Sequence, residues 1–421
     1  MAGLMSAAIP SKAKLAFLDS ELGIFFHFGV RTFNEENRDW DMLPMRAESF
    51  NPTALDCRQW IRAVRDAGAK YAVLTTKHHD GFALWPSKYT EFSVKSSPWR
   101  GGAGDVVREF VDACREFGVK TGLYYSCAQF GSKEMGDAQY NDFVVGQLHE
   151  LFTGYGPIDE IWFDDCGAEG HHFDVARIEK TIRTLQPHAL VFGGWERDIR
   201  WPGNEWGCAP LSNGDTVLRN GEPVFLPGEC DACMTRFGSE NFWFYNETHR
   251  DCLRTVDELV GMYYLSVGRG SNLLLNIAPD RRGLLPDAPL ALLNGMSAEL
   301  NRRFSECRLE TSPIEKAVEN GCAEYRVELE KNQLIDQVVL AEELSAGAHV
   351  RAFTVYVSPH RGDQRIAVYR GETIGRKHIC TFPTIRGKLI DVVVDESDGC
   401  ENVADIGALY VGDRSGRQIR G

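Results

Sequence analysis

The stretch Glu160-Ile161-Trp162-Phe163-Asp164-Asp165 decides how this chain is read. A short apolar run follows a helical stretch and a turn, then ends abruptly in two carboxylates. A run this short cannot be an amphipathic surface helix, and it reads as a buried parallel strand. A carboxylate at the C-terminal tip of such a strand lies where α/β barrels keep their chemistry. An Asp after a strand also caps the next helix. That role falls most naturally to Asp165 and leaves Asp164 free.

The same grammar repeats outward from this point: amphipathic helix, glycine or proline stop, short apolar strand. Trp60, Ile61, Val64 and Ala67 share a helical face, Gly68 stops it, and Tyr71-Ala72-Val73-Leu74 follows. Val106, Val107, Phe110, Cys114 and Phe117 lead through Gly118 to Thr121–Tyr125. Val175, Ile178, Ile182 and Leu185 lead through Pro187 to Leu190–Gly193. Thr255 and Glu258 form a capping box whose helix is expected to run to Gly268, ahead of Leu273–Ile277. With the opening strand Gly23–His27 there are six such strands, too many for a sandwich and ordered for a parallel sheet. No glycine-rich phosphate loop follows the first strand, which argues against a dinucleotide fold. The expected fold is an irregular (β/α) TIM-like barrel over residues 1–307, with an irregular stretch from about Gly203 to Asn246 in place of a tidy unit.

Near Arg308 the pattern changes to short β-branched runs of period two, among them Ala323–Glu330, Leu334–Ala341, Val350–Val357, Arg365–Tyr369 and Leu389–Val394. Phe353, Val355 and Val357 are expected to face inward, with Thr354 and Tyr356 outward. Residues 308–421 therefore read as a C-terminal antiparallel β-sandwich of about 110 residues.

Composition narrows the function classes. The 421 residues are 43% hydrophobic and 25% charged, as in an ordinary soluble protein. The net charge of -14 repels phosphates and anionic membrane surfaces, so neither nucleic acid nor membrane is an expected partner. The N-terminus puts its lysines after a very short apolar patch, the reverse of a secretory signal, and this reads as cytoplasmic. The 12 cysteines sit in apolar or helical contexts such as Cys57, Cys114 and Cys252 and read as reduced thiols.

Strand tips supply His27, the pair His78-His79 with Asp80, Tyr124-Tyr125 and Asp164; further on come Glu205, Glu229, Asp231 and Trp243. Adjacent histidines after a strand cannot both point into a core, so at least one lines the barrel mouth. Carboxylates and imidazoles beside aromatic faces suit a neutral polyhydroxylated ligand. Two carboxylates also meet the needs of glycosidic bond cleavage, one ionised to attack and one protonated to assist departure.

These residues resemble glycoside hydrolase family 29, the alpha-L-fucosidases. The resemblance rests on Gly23–Gly29, Lys77-His78-His79-Asp80-Gly81-Phe82, Gly122-Leu123-Tyr124-Tyr125-Ser126, Trp162-Phe163-Asp164, and Gly268-Arg269 ahead of Leu273-Leu274-Leu275-Asn276. It implies a barrel followed by a β-sandwich and retaining hydrolysis of alpha-L-fucosides on oligosaccharides or glycoconjugates, with no cofactor or metal. By the same resemblance Asp164 is the nucleophile, and His27, Trp40, His78, His79, Tyr125 and Trp243 bind fucose. Trp201-Pro202-Gly203-Asn204-Glu205 resembles the branch that prefers alpha-1,3 and alpha-1,4 linkages and implies Glu205 as acid/base. Glu229, in Pro227–Asp231, is the second choice. The family commonly carries glycine after the nucleophile, whereas this chain has Asp165.

Three rival readings stand beside it. One is a metal-dependent barrel hydrolase using His27, His78, His79 and Asp164. Another is a structural zinc at Cys230, Cys233, His249 and Cys252. The third is a sugar-binding module after about residue 315.

Overall fold

The computed structural model describes residues 8–34, 43–130, 132–164, 170–237, 240–319, 322–362 and 364–412. Its first sheet has seven parallel strands: β1 Leu22–Phe26, β2 Tyr71–Lys77, β3 Lys120–Ser126, β4 Glu160–Asp164, β5 Leu190–Phe192, β6 Gly228–Cys233 and β7 Ser271–Asn276. Their order is β5-β4-β3-β2-β1-β7-β6. The sheet curls until its two edges are joined by a two-residue stitch. Ile199 bridges to Phe192 on β5, and Arg200 bridges to Gly228 on β6.

Side chains alternate across this sheet. Phe25, Tyr71, Val73, Tyr124, Trp162, Phe192 and Leu274 share one buried cluster inside the curl. Ile24, Phe26, Ala72, Leu74, Leu123, Tyr125, Ile161, Phe163, Leu273 and Leu275 belong to the larger cluster outside it, packed against the helices. Both faces are buried, which is why these strands read as continuous apolar runs.

The helices begin where the sequence supplies caps. Asp56, Asp105 and Asp174 accept backbone N–H groups at the starts of Cys57–Asp66, Val106–Phe117 and Val175–Leu185. Thr255 and Glu258 form the expected reciprocal capping box. That helix ends at Leu265, not Gly268, and the Ser266 hydroxyl donates back to the Met262 carbonyl at 2.6 Å.

Six barrel strands were expected and seven are present. The additional one, β6, lies within the stretch read as irregular. Its sequence Gly-Glu-Cys-Asp-Ala-Cys has two acids and no β-branched residue, yet all six residues are buried. Its burial signal is invisible because polar groups, satisfied inside the barrel, occupy positions that strand patterns fill with Val or Ile.

The helix Asp287–Asn301 continues through a wide turn, Arg302–Glu306, and the chain enters a second sheet at Arg308. This sheet is antiparallel and seven-stranded. Runs expected as separate strands at Ala323–Glu330 and Leu334–Ala341 are one strand, Cys322–Glu342, and Leu389–Val394 lies within the long strand His378–Ser397. Register shifts between Glu328 and Gln333 and between Ile335 and Gln337 interrupt the pairing of these two strands. A single core draws on both ends of both long strands, including Tyr325, Val338, Leu340, Cys380 and Val392, together with Phe353, Val355 and Val357. Thr354, expected outside, is buried, its hydroxyl donating to Asp395 at 2.6 Å. No helix among the described residues is long and apolar enough to cross a membrane.

Candidate active site

Alternation inside the curl and the tips of its strands converge on a cavity of about 510 Å³. His27, His78, His79, Tyr124, Trp162, Asp164, Phe192, Gly193, Arg197, Trp201, Glu205, Asp231 and Trp243 are among its lining residues. Asp164, at the tip of β4, accepts the Tyr124 hydroxyl at 2.8 Å on Oδ2. The same oxygen lies 3.5 Å from Nε2 of His79.

The histidines are neutral for a common reason. Burial lowers His27 to about 3 and pushes His78 well below its ordinary value, with His79 and His27 adding to the effect on His78. His79 is lowered by burial too, against the pull of Asp164 and Asp80. With Nε2–H facing Asp164, His79 Nδ1 lies 2.7 Å from the Ser126 hydroxyl, whose one proton it shares with the Ala128 carbonyl at 2.9 Å. Asn276 sets the other tautomer. Its Nδ2 donates to the Trp243 carbonyl at 2.8 Å, so Oδ1 is left to accept His27 Nδ1–H at 2.9 Å. His27 Nε2 then keeps a lone pair for a ligand hydroxyl. His78 stacks on Tyr124 at 5.8 Å, and its buried Nδ1 has no partner among the described residues.

Backbone features aim these groups. Thr76 is an extra residue between the Thr75–Tyr124 and Lys77–Tyr125 pairs, a bulge immediately ahead of His78-His79. Gly193 has φ of 65°, and a Cβ there would stand 2.2 Å from the Phe163 carbonyl oxygen. Only glycine lets the chain turn this tightly over the end of β4.

The acidic side of the cavity hangs on β6. Asp231 is buried, and its Oδ1 accepts the Trp201 indole N–H at 2.7 Å. Burial, with the charges of Glu205 and Glu229 behind it, pushes the Asp231 carboxyl well above the usual range. The Asp231 carbonyl also accepts the Gly207 N–H at 3.0 Å. These bonds pin the segment bearing Glu205, which is exposed at the rim.

Several sequence expectations are redirected by this geometry. Tyr125 does not reach the cavity. It points outward, its hydroxyl donating to Gln147 at 2.8 Å and its ring lying under the Lys77 ammonium at 4.5 Å. Tyr124, its inward neighbour, occupies the site. Glu229 does not line the cavity either. It is fully buried, with Oε1 accepting from Tyr71 at 2.6 Å and Oε2 from Trp162 at 3.0 Å, so no open oxygen faces a leaving group. Trp40 and Asp165 lie outside the described residues. Asp231, Trp162 and Arg197 carried no assigned role at the sequence level. Period-two counting back from Asp164 finds Trp162, and pairing of Tyr124 with Trp162 finds the correct tyrosine.

The metal readings gain no support. Among the described residues, neither His27, His78, His79 and Asp164 nor Cys230, Cys233, His249 and Cys252 converge as a ligand set; the group that does is His349, Asp398 and Cys400, in the connections beside the strands Val350–Ser358 and His378–Ser397.

Comparison with known proteins agrees with this geometry. Residues 6–303 match the sequence model of the family described as Alpha-L-fucosidase. Alpha-L-fucosidase 1 of Arabidopsis thaliana is 31% identical over 97% of this chain and 88% of its own length. A crystal structure of a putative alpha-L-fucosidase from Bacteroides thetaiotaomicron superposes with a TM-score of 0.88 at 29% identity, covering 97% of this chain and 99% of that one. Another, from Bacteroides ovatus, gives 0.85 at 32% identity over 96% of this chain and 74% of its own. The chain belongs to the alpha-L-fucosidases of glycoside hydrolase family 29 and is a glycoside hydrolase.

Proposed function

We propose that the protein is a retaining alpha-L-fucosidase acting on alpha-1,3- or alpha-1,4-linked fucose in oligosaccharides or glycoconjugates. The observation that carries this reading is one cavity lined by Asp164, held by Tyr124, and by Glu205 at its rim. In the first step Asp164 attacks the anomeric carbon while Glu205 protonates the departing oxygen. In the second, Glu205 takes a proton from water, which displaces Asp164. Neutral His27 and His78, both lining the cavity, accept from or donate to sugar hydroxyls without adding charge. Trp243 and Trp162 cover the apolar face of the ring.

The linkage preference is supported by the Gly203-Asn204-Glu205 segment and by Trp201. This indole is 46% exposed, yet its N–H is fixed by a buried carboxyl, which suits stacking on the sugar that carries the fucose.

Four outcomes test the proposal. Asp164→Gly is expected to lose nearly all turnover while keeping its melting temperature, with added azide restoring turnover as the beta-fucosyl azide; near wild-type activity in this variant defeats the nucleophile assignment. Tyr124→Phe removes a hydrogen bond to the nucleophile and is expected to reduce kcat at least tenfold, whereas Tyr125→Phe affects mainly thermal stability. Equal kinetic losses in the two would return Tyr125 to the site. Glu205→Ala is expected to damage cleavage of natural oligosaccharides far more than of aryl fucosides with good leaving groups, as measured by kcat/KM on both. An equal loss on both would remove Glu205 from the acid/base role. Across a linkage-defined panel, Lewis-type trisaccharides are expected to exceed the aryl fucoside in kcat/KM, with alpha-1,2-linked fucose slow. A preference for the alpha-1,2 linkage or for the aryl fucoside would overturn the linkage reading alone.

A further inference from the structure

Beneath the cavity the barrel holds a pair of carboxyls that the reaction does not use. Glu160 opens β4 and Glu229 is the second residue of β6, on strands that do not pair with each other. Both side chains are buried on the interior face, Glu160 two residues before the Trp162 that Glu229 holds, and each lies within the other's electrostatic reach. Their hydrogen-bond inventories differ sharply. Glu229 receives the Tyr71 hydroxyl on Oε1 at 2.6 Å and the Trp162 indole N–H on Oε2 at 3.0 Å. Neither oxygen of Glu160 has a donor among the described residues.

Two ionised carboxyls facing each other in a buried interior repel each other strongly. Donors stabilise the ionised form, and they converge on Glu229 alone. The inventory balances when Glu160 keeps its proton and donates it to Glu229, which then accepts three hydrogen bonds and carries the single charge. Burial raises both carboxyls, and the Glu229 charge and Asp159 raise Glu160 further, against a smaller opposing effect of Lys120.

We propose that Glu160 is a standing carboxylic acid, that Glu229 is the buried anion it supports, and that Glu229 is a positioning residue for the indole floor of the fucose pocket. Trp162, which Glu229 holds by its N–H, lines the cavity. The indole stacks on Phe192 at 4.1 Å and on Tyr124 at 5.3 Å, and Tyr124 in turn touches Asp164. The hydrogen bond that Trp162 donates to Glu229 thus fixes where the apolar face of the sugar rests and what backs the nucleophile. The inference takes the cavity as the fucose site, as proposed above.

The proton assignment makes two nearly isosteric substitutions unequal. In Glu160→Gln the amide N–H replaces the acid proton and still donates to Glu229. In Glu229→Gln one accepting oxygen becomes a donor: turned to Trp162 it faces another donor, and turned to Tyr71 it reverses that bond, so either the indole N–H or the Tyr71 proton loses its acceptor. A role in packing alone would treat both substitutions alike. Calorimetric titration with L-fucose, beside thermal melting, is expected to show affinity falling about tenfold in Glu229→Gln and several-fold less in Glu160→Gln. Equal losses, or a larger loss in Glu160→Gln, would overturn the proposal. Infrared difference spectra supply a second reading that needs no Glu229 variant. Wild type minus Glu160→Gln, at mildly alkaline pH, is expected to show a protonated-carboxyl stretch, and its absence overturns the assignment. Failure of the wild type to bind L-fucose would count against the site reading, while the infrared band would still decide whether the carboxyl pair holds a proton.

Discussion

Alternation of side chains on a strand buried on both faces is the constraint on which this molecule depends. A residue on β3 or β4 belongs either to the barrel interior or to the shell under the helices, with no intermediate choice. Asp164, Trp162 and Glu160 fall on one parity, and Ile161 and Phe163 on the other. Tyr124 therefore reaches Asp164 while Tyr125, one residue on, packs against Gln147 and Lys77. Shifting either strand by one residue would exchange the nucleophile's support for an outer-shell side chain and leave a carboxylate among the helices.

Desolvation then sets the charges. A dry cavity wall holds all three histidines neutral and pushes Asp231 toward its acid form. What remains is a histidine wall that offers hydrogen-bonding groups without fixed charge, and the charge in the lining is left to Asp164, Arg197 and Glu205. Neutrality also fixes tautomers. The Trp243 carbonyl orients Asn276, and Asn276 orients His27, so a backbone group that does not touch the imidazole decides which ring nitrogen faces the ligand.

Much of this was legible in the residues, and the failures share a cause. Strands β1 to β5 and β7, the Thr255–Glu258 box and the placing of His27, His79 and Asp164 at strand tips follow from apolar runs and capping chemistry. Strand β6 was not legible, because Glu229 and Asp231 bury polar groups whose partners come from Tyr71, Trp162 and Trp201, far away in the chain. Glu229 drew attention as a second acid for the same reason: its composition suggests chemistry, but its burial is visible only in three dimensions. In the second sheet, Lys331 and Asn332 have the polarity of a turn, yet they lie within one continuous strand at a shift of register.

The incomplete closure of the barrel explains why the acidic side of the site takes the form it does. A full strand between β5 and β6 would use the backbone of residues 199 onward for sheet pairing. Ile199 and Arg200 are so used, and the chain pairs with β6 again only at Trp206, which bridges antiparallel to Ala232. Arg200 is held by the carbonyls of Leu226 and Gly214 and by Asn213, which makes the stitch rigid despite its shortness. Immediately past it the chain leaves the sheet and, tied down by Asp231, lays Trp201 and Glu205 on the rim. A residue that must reach a leaving group outside the fucose pocket has to stand at the mouth, not inside the curl. The missing strand supplies that position: a segment anchored at both ends in the barrel and free of the sheet in between.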